Sequence, residues 1–330
     1  MVFDLLGILA QQRGTDASGV ARFYGRQAST PSTELVASER LSPSLRVDGW
    51  HVSRRPVCWK SFWKLPQLQK SEQARILSGH TRKATRGESR NVANLSPMLV
   101  EDLLGTHNGG VAIKPLVENY GLELAGNTSS EAIFAALSTC RGEDIDATVQ
   151  VLTSLRGRAA LAWVDRNSPK RVYLARTALS PLATAWDALG NFYWASSRQW
   201  FLTIEEISDY QFSFRDIQQW REGTLRVYES LNAGAELQET RYFQPFVREC
   251  DLRVAERFLW HHRDAAWERA NLRSWLKTRS GTVVKLNEPE PDYHYHPDRD
   301  YWSKEQDNPY GDYWSDEEET EYYQTRLGFK

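Results

Sequence analysis

The strongest constraint on this chain is a pair of short polar stretches, Gly79-His80-Thr81-Arg82-Lys83-Ala84-Thr85-Arg86-Gly87 and Thr106-His107-Asn108-Gly109-Gly110. Each follows an apolar run, at 75–77 before the first and at 99–104 before the second. Both are therefore expected as turn-forming clusters at strand ends, placed to project polar groups into one cleft. An arginine fork matches a carboxylate, and an asparagine amide beside a glycine N–H offers two donors that converge on one oxyanion. Asn108-Gly109 is equally an ordinary turn signal, and Arg82 an ordinary surface residue beside a turn, so neither stretch names a function by itself.

Composition narrows the classes. Of 330 residues, 41% are hydrophobic and 25% charged, which suits one large domain plus a tail. The net charge of -2 gives no global attraction to nucleic acid or to an anionic membrane. Cys58, Cys140 and Cys250 have no paired spacing, so no disulfide framework or C-x-x-C metal site is expected, and a reducing cytoplasmic setting fits. There is no apolar run of about 18 residues and no basic, cleavable leader pattern, so neither membrane insertion nor export is expected.

Taken in order, G-H-T-R-x-A-T-x-G and H-N-G resemble the glutamine-binding and oxyanion motifs of class II (N-terminal nucleophile) glutamine amidotransferases. The resemblance extends further along the chain. Leu5 to Ala21 is similar to the family's first helix, R-G-x-D-x-x-G turn and following strand, and Ser129-Ser130-Glu131-Ala132-Ile133 to its S-D-x-E-x-I. Gly157 to Trp163, Ala175 to Leu182 and Trp194-Ala195-Ser196-Ser197 resemble its later strands. The chain resembles the short stand-alone phage-type members of that family.

The resemblance implies an α+β fold, a four-layer αββα Ntn-hydrolase sandwich, here lacking its first strand. The expected organisation is an amidotransferase-like domain over 1–230, a helical extension over 231–287 and a disordered acidic, aromatic tail over 288–330. Arg82 would hold the substrate carboxylate, with Lys83 and Thr85 beside it, and Asn108 and Gly109 would form the oxyanion hole. Ser129 stands where the family has the aspartate that holds the substrate ammonium. Val2 stands where the family has its nucleophilic cysteine, whose freed amine serves as the base.

Two functions follow from these matches and departures. One is a glutaminase whose true start lies upstream, passing ammonia to an unknown acceptor on a separate synthase chain. The other is a catalytically dead binding or scaffold protein that uses the retained cleft and the tail. Glutamine is the expected small-molecule ligand, and no cofactor or metal is expected.

Local patterns add further expectations. Helices are read at 4–12, 148–155, 201–207 and 252–277, and strands at 20–24, 158–165, 171–176, 191–196 and 222–228. Glu131 should stabilise the start of a helix, and His107 should be packed or turn-bonded rather than catalytic. Cys58 and Cys140 read as small buried hydrophobes. Trp50, Trp59, Phe62 and Trp63 among basic residues suit either a packed lid or a stacking platform for single-stranded nucleic acid. The tail repeats Asp300-Tyr301-Trp302-Ser303 as Asp312-Tyr313-Trp314-Ser315, a two-copy docking motif or simple low-complexity drift. His294 and His296 are weak evidence for metal.

Overall fold

The computed structural model describes residues 2–11, 14–25, 42–68, 71–83, 91–140, 144–208, 210–231 and 234–246. All lie in one compact unit, Met1–Ala255. In chain order its strands are β1 Ala17–Phe23, β2 Ser44–Val47, β3 Trp50–Arg55, β4 Ile76–Arg82, β5 Met98–Val100, β6 Leu103–Val111, β7 Gly157–Asp165, β8 Arg171–Arg176, β9 Ala183–Asp187, β10 Phe192–Ala195, β11 Phe214–Gln219, β12 Thr224–Ser230 and β13 Ala235–Tyr242. Its α-helices are α1 Val2–Ala10, α2 Trp59–Phe62, α3 Ile113–Tyr120, α4 Ser129–Ser138, α5 Ile145–Ser154 and α6 Arg198–Ile207.

Strand alternation sorts the side chains into layers, because successive residues point to opposite faces. In the six-stranded sheet, ordered β13-β12-β8-β7-β6-β5, every pairing is antiparallel. Leu103, Val111, Leu161 and Trp163 pack on one side against Leu116, Ile133, Phe134 and Leu152 of α3, α4 and α5. Leu104, Ala160, Ala162 and Leu174 pack on the other against Ala21, Phe23, Trp50 and Ile76. That second partner is the sheet β2-β3-β1-β4. Beyond it, Trp59 and Phe62 of α2 cover Val20, and α1 and α6 cover Ala183, Ala185 and Ala195 of the small sheet β10-β9-β11. Helices therefore flank two face-to-face sheets, which is a four-layer αββα arrangement.

Local chemistry sets the helix starts. Thr128 Oγ1 accepts from Glu131 N at the start of α4, and Asp144 and Ser197 cap α5 and α6 in the same way. Such a cap contributes about 1 kcal/mol. The Glu131 carboxylate accepts from the N–H groups of Ala125 and Gly126, so it fastens the preceding loop to the helix. Gly7 lets α1 reach α2: a Cβ there would lie 1.9 Å from the Trp59 ring. Trp59 Nε1 then donates to Asp4 Oδ1 at 2.9 Å.

At one end of the sandwich the two sheets are tied by charge. Arg166, just after β7, donates from Nη1 to Asp48 Oδ2 at 3.0 Å and from Nε to Asp102 Oδ1 at 3.1 Å. Asp48 belongs to the β2–β3 turn and Asp102 to the β5–β6 turn, so one guanidinium bridges both sheets.

Several sequence expectations change. The G-H-T-R stretch is not a turn but the end of β4, and T-H-N-G-G lies inside β6, paired on one side with β7 over its whole length. Residues 235–242, expected in a helical extension after residue 230, form β13, hydrogen-bonded to β12. The packed reading of the aromatics, by contrast, holds: Trp50, Trp59 and Phe62 are buried and Trp63 stacks on Trp59 at 5.2 Å, all within or against the sheet β2-β3-β1-β4. Cys58 and Cys140 are half-buried, not enclosed, and Cys58 Sγ bonds Ser61 Oγ at the start of α2. Thr85, Cys250, the helix read at 252–277 and the 288–330 tail lie outside the described residues. Among the described residues, no helix is long and apolar enough to cross a membrane.

Candidate functional site

The end of the sandwich opposite Arg166 is polar, and alternation explains how. Ile76 of β4 faces the space between the sheets, so Ser78, His80 and Arg82 share that face. The outward set of β4 meets α1: Thr81 Oγ1 donates to Ala10 O at 2.8 Å. On β6, Leu104 faces inward, so Thr106 and Asn108 do as well, while His107 points to the helix layer. On β7 and β8 the inward rows ending at Ala160 and Leu174 continue to Arg158 and Arg176. Arg82 and Asn108, assigned from the sequence to one cleft, thus face one another's sheet at the same end of the molecule.

Hydrogen bonds connect these pieces. His80 Nε2 lies 3.1 Å from His107 O, which joins β4 to β6 across the two sheets. The His107 ring bonds Ser130 Oγ of α4 through Nδ1 at 3.1 Å and Arg158 O through Nε2 at 3.4 Å. Asn108 Nδ2 donates to Ser196 Oγ, just after β10, at the long distance of 3.5 Å. That contact engages one of the two N–H groups of the amide and leaves the other to a ligand. Gly109 has φ +140, and a Cβ on it would meet Arg158 O at 2.1 Å, so only glycine fits.

Burial dominates the electrostatics. It pushes His80 down to about 4, helped by the neighbouring Arg82 charge and opposed by the bond to His107 O. Burial likewise pushes His107 down to about 3, with the His80 and Arg158 charges adding to it. Both rings are neutral at neutral pH and act as connectors. Arg82 is lowered by burial and raised by Asp16, whose N–H donates to Arg82 O at 3.0 Å. It remains a cation at neutral pH.

The turn after β8 is strained. Leu179 has φ +65, and Ser180 N donates to Ala178 O at 2.7 Å, closing a γ-turn of a rare kind. Glu222 holds it, accepting from Leu179 N at 2.8 Å while lying 3.9 Å from Arg176. The buried Ser180 Oγ has no hydrogen-bond partner among the described residues and stands 2.9 Å from where a Gly109 Cβ would be.

Of the other residues singled out in the sequence, Lys83 directly follows β4 and Ser129 opens α4. Ser129 makes no side-chain hydrogen bond among the described residues; its neighbour Ser130 is the one that reaches His107. Sequence reasoning passed over Ser130, Arg158, Ser180 and Ser196. Arg158 was accessible from strand alternation, whereas the Ser196 contact spans 88 positions and leaves no local signal. Among the described residues, no group of three or more His, Cys, Asp or Glu side chains could hold a metal ion.

No family model and no curated protein matches this chain. Solved structures do. One is an allosteric regulatory enzyme of purine biosynthesis, with a TM-score of 0.51 and 17% identity over 74% of this chain and 46% of that one. Another is a glutamine phosphoribosylpyrophosphate amidotransferase from B. subtilis complexed with ADP and GMP, with a TM-score of 0.48 and 15% identity over 71% of this chain and 45% of that one. A third is a glutamine aminotransferase class-II domain protein from Silicibacter pomeroyi, with a TM-score of 0.39 and 16% identity over 70% of this chain and 92% of that one. The chain spans less than half the length of the first two. With its paired antiparallel sheets between helical layers, the chain shares the α+β fold of the first of these structures.

Proposed function

We propose that this chain is a class II glutamine amidotransferase-type domain whose inter-sheet cleft binds a carboxylate that carries a terminal amide. Arg82 takes the carboxylate as a fork. Asn108 Nδ2 and the Gly109 N–H take the amide oxygen, the geometry that in a reacting enzyme would stabilise an oxyanion. The observation that carries the reading is the His80 to His107 O bond, which fixes Arg82 and Asn108 on facing strands at one end of the sandwich.

Binding rather than turnover is the activity of the 330-residue chain. Val2 is a buried core residue of α1 packed with α6, and has no nucleophilic atom. Cys58 sits at the start of α2 outside the outer sheet, and Cys140 follows α4 on the opposite outer side, so neither thiol lies between the sheets. Their amide nitrogens could not serve as the base in any case.

Incubating the purified protein with glutamine should release no ammonia above background, while calorimetry detects binding that Arg82→Ala and Asn108→Ala each weaken by about tenfold or more, the worth of one hydrogen bond to a charged group. Ammonia release abolished by Asn108→Ala would overturn the binding-only reading. Indifference of binding to both substitutions would remove the site altogether.

A further inference from the structure

We infer that the outward face of the sheet β2-β3-β1-β4 carries a binding site for one phosphate group of a small soluble molecule, built on Arg46, His51 and Arg22. It lies on the opposite face of that sheet from Arg82 and is independent of the function proposed above.

Alternation and register bring the three side chains together. Leu45, Val52 and Phe23 face the space between the sheets, so their neighbours Arg46, His51 and Arg22 face outward. His51 pairs with Arg46 across β2 and β3 and with Arg22 across β3 and β1. The row spans three strands, about 10 Å from end to end, with the imidazole in the middle.

Charge sets this row apart. Strands β1 to β4 hold five arginines and two histidines but no Asp or Glu, in a chain whose net charge is -2. Asp48, the acidic residue nearest to Arg46 in sequence, turns inward to Arg166. Burial, then the Arg46 and Arg22 charges, push His51 below its ordinary value. Like charges opposite one another on a sheet are destabilising, so the row accepts a third cation on His51 only when an anion shares the space.

Local contacts grade the row from fixed to open. Arg22 is buried: Nη1 donates to Gln67 O just after α2, Nη2 donates to Ser53 Oγ at 3.1 Å, and the Tyr24 hydroxyl accepts another bond. The Tyr24 ring packs on His51 with centroids 4.9 Å apart. His51 is half-buried, and Arg46 is exposed and makes no hydrogen bond or ion pair among the described residues. An anion seated on this step receives the Arg46 fork and a His51 N–H, with the fixed Arg22 charge behind them. Phosphate suits donors arriving from separate strands because it presents three acceptor oxygens, whereas one guanidinium already satisfies a carboxylate.

The test follows the His51 ring by NMR in the full chain, its signal assigned with His51→Gln, while inorganic phosphate or sulfate replaces chloride at constant ionic strength. Both anions should raise the His51 titration midpoint, because a bound anion favours the imidazolium that Arg46 of β2 and Arg22 of β1 disfavour. By linkage, sulfate, whose own charge does not change, should bind more tightly as pH falls through that midpoint. Arg46→Ala should weaken phosphate by about tenfold or more in calorimetry, and Arg46→Lys by less. Glutamine binding should be unchanged in both variants. A midpoint unmoved by phosphate, or an equal response to acetate, would overturn the site. A response that survives Arg46→Ala would overturn it too. A single-stranded oligonucleotide binding more tightly than phosphate, through Arg46, would replace the small molecule with a nucleic acid.

Discussion

The two ends of the sandwich solve the same problem differently. At one end, Arg166 meets two carboxylates, Asp48 and Asp102, and Asn167 Nδ2 adds a further bond to Asp102 Oδ2 at 3.2 Å. At the other, Arg82, Arg158 and Arg176 share the inward faces with Asn108, and the sheets are joined by the bond of the neutral His80 ring to the backbone carbonyl of His107 instead of an ion pair. A matched buried ion pair closes an interface. Arginines held by single acidic neighbours, Asp16 for Arg82 and Glu222 for Arg176, share their face with an amide that keeps one N–H to offer. The contrast teaches that buried arginines are not interchangeable as evidence: what surrounds the guanidinium decides whether it is a clasp or a recognition element.

Removing a partner should expose the difference most sharply at the clasp. Asp48, whose side chain is fully buried, leaves the buried Arg166 leaning on the half-exposed Asp102 when replaced. Asp48→Ala should cost about 3–5 kcal/mol, read as a lower urea midpoint with unchanged slope. A loss under 1 kcal/mol would show that Asp102 alone satisfies Arg166, and the clasp would be weaker than the site.

Acid should attack the other end. His80 and His107 titrate well below the ordinary 6.5, at about 4 and about 3, so the unfolded chain binds protons that the folded chain refuses. Their contribution is complete above pH 6.5 and is lost as pH falls toward 4, with a slope of about 1.4 kcal/mol per pH unit for each ring. Urea unfolding at pH 6.5, 5.5 and 4.5 measures it, and His107→Gln should reduce the slope. A flat profile would mean that both rings accept protons in the folded state, as they would if this end opened to water.

The smallest effect is expected where function is expected to be greatest. Arg82→Gln, which keeps a hydrogen-bonding side chain in place of the half-buried cation, should change stability by no more than about 1 kcal/mol while weakening ligand binding about tenfold or more. A loss of several kcal/mol would erase the comparison, because it would make Arg82 a second clasp.

How much of this was visible in the sequence depended on distance along the chain. Helices α4, α5 and α6 were readable from their apolar spacing and polar starts, and β7 and β8 from short runs between turn residues. The T-H-N-G-G stretch misled, because Asn-Gly is a strong local turn signal and nothing local reveals that β7 pairs with it throughout. Residues 235–242 read as part of a helical extension; their strand form comes from the partner strand β12. At the site, Arg82 and Asn108 were singled out through the order of the motifs that carry the family resemblance, and strand alternation puts both on inward faces at one end of the sandwich. Ser196, Ser130 and Ser180 were not, since hydroxyls are common and theirs are placed by pairings far apart in sequence.

Gly109 bears on how relatives of this chain should be compared. Because Arg158 O would lie 2.1 Å from any Cβ there, packing alone retains the glycine in every chain that keeps this pairing of β6 with β7. Its presence in a distant homologue is therefore silent about use. Asn108, held by one 3.5 Å contact, is under no such compulsion, so drift at that position would be the first record of a cleft that had fallen idle.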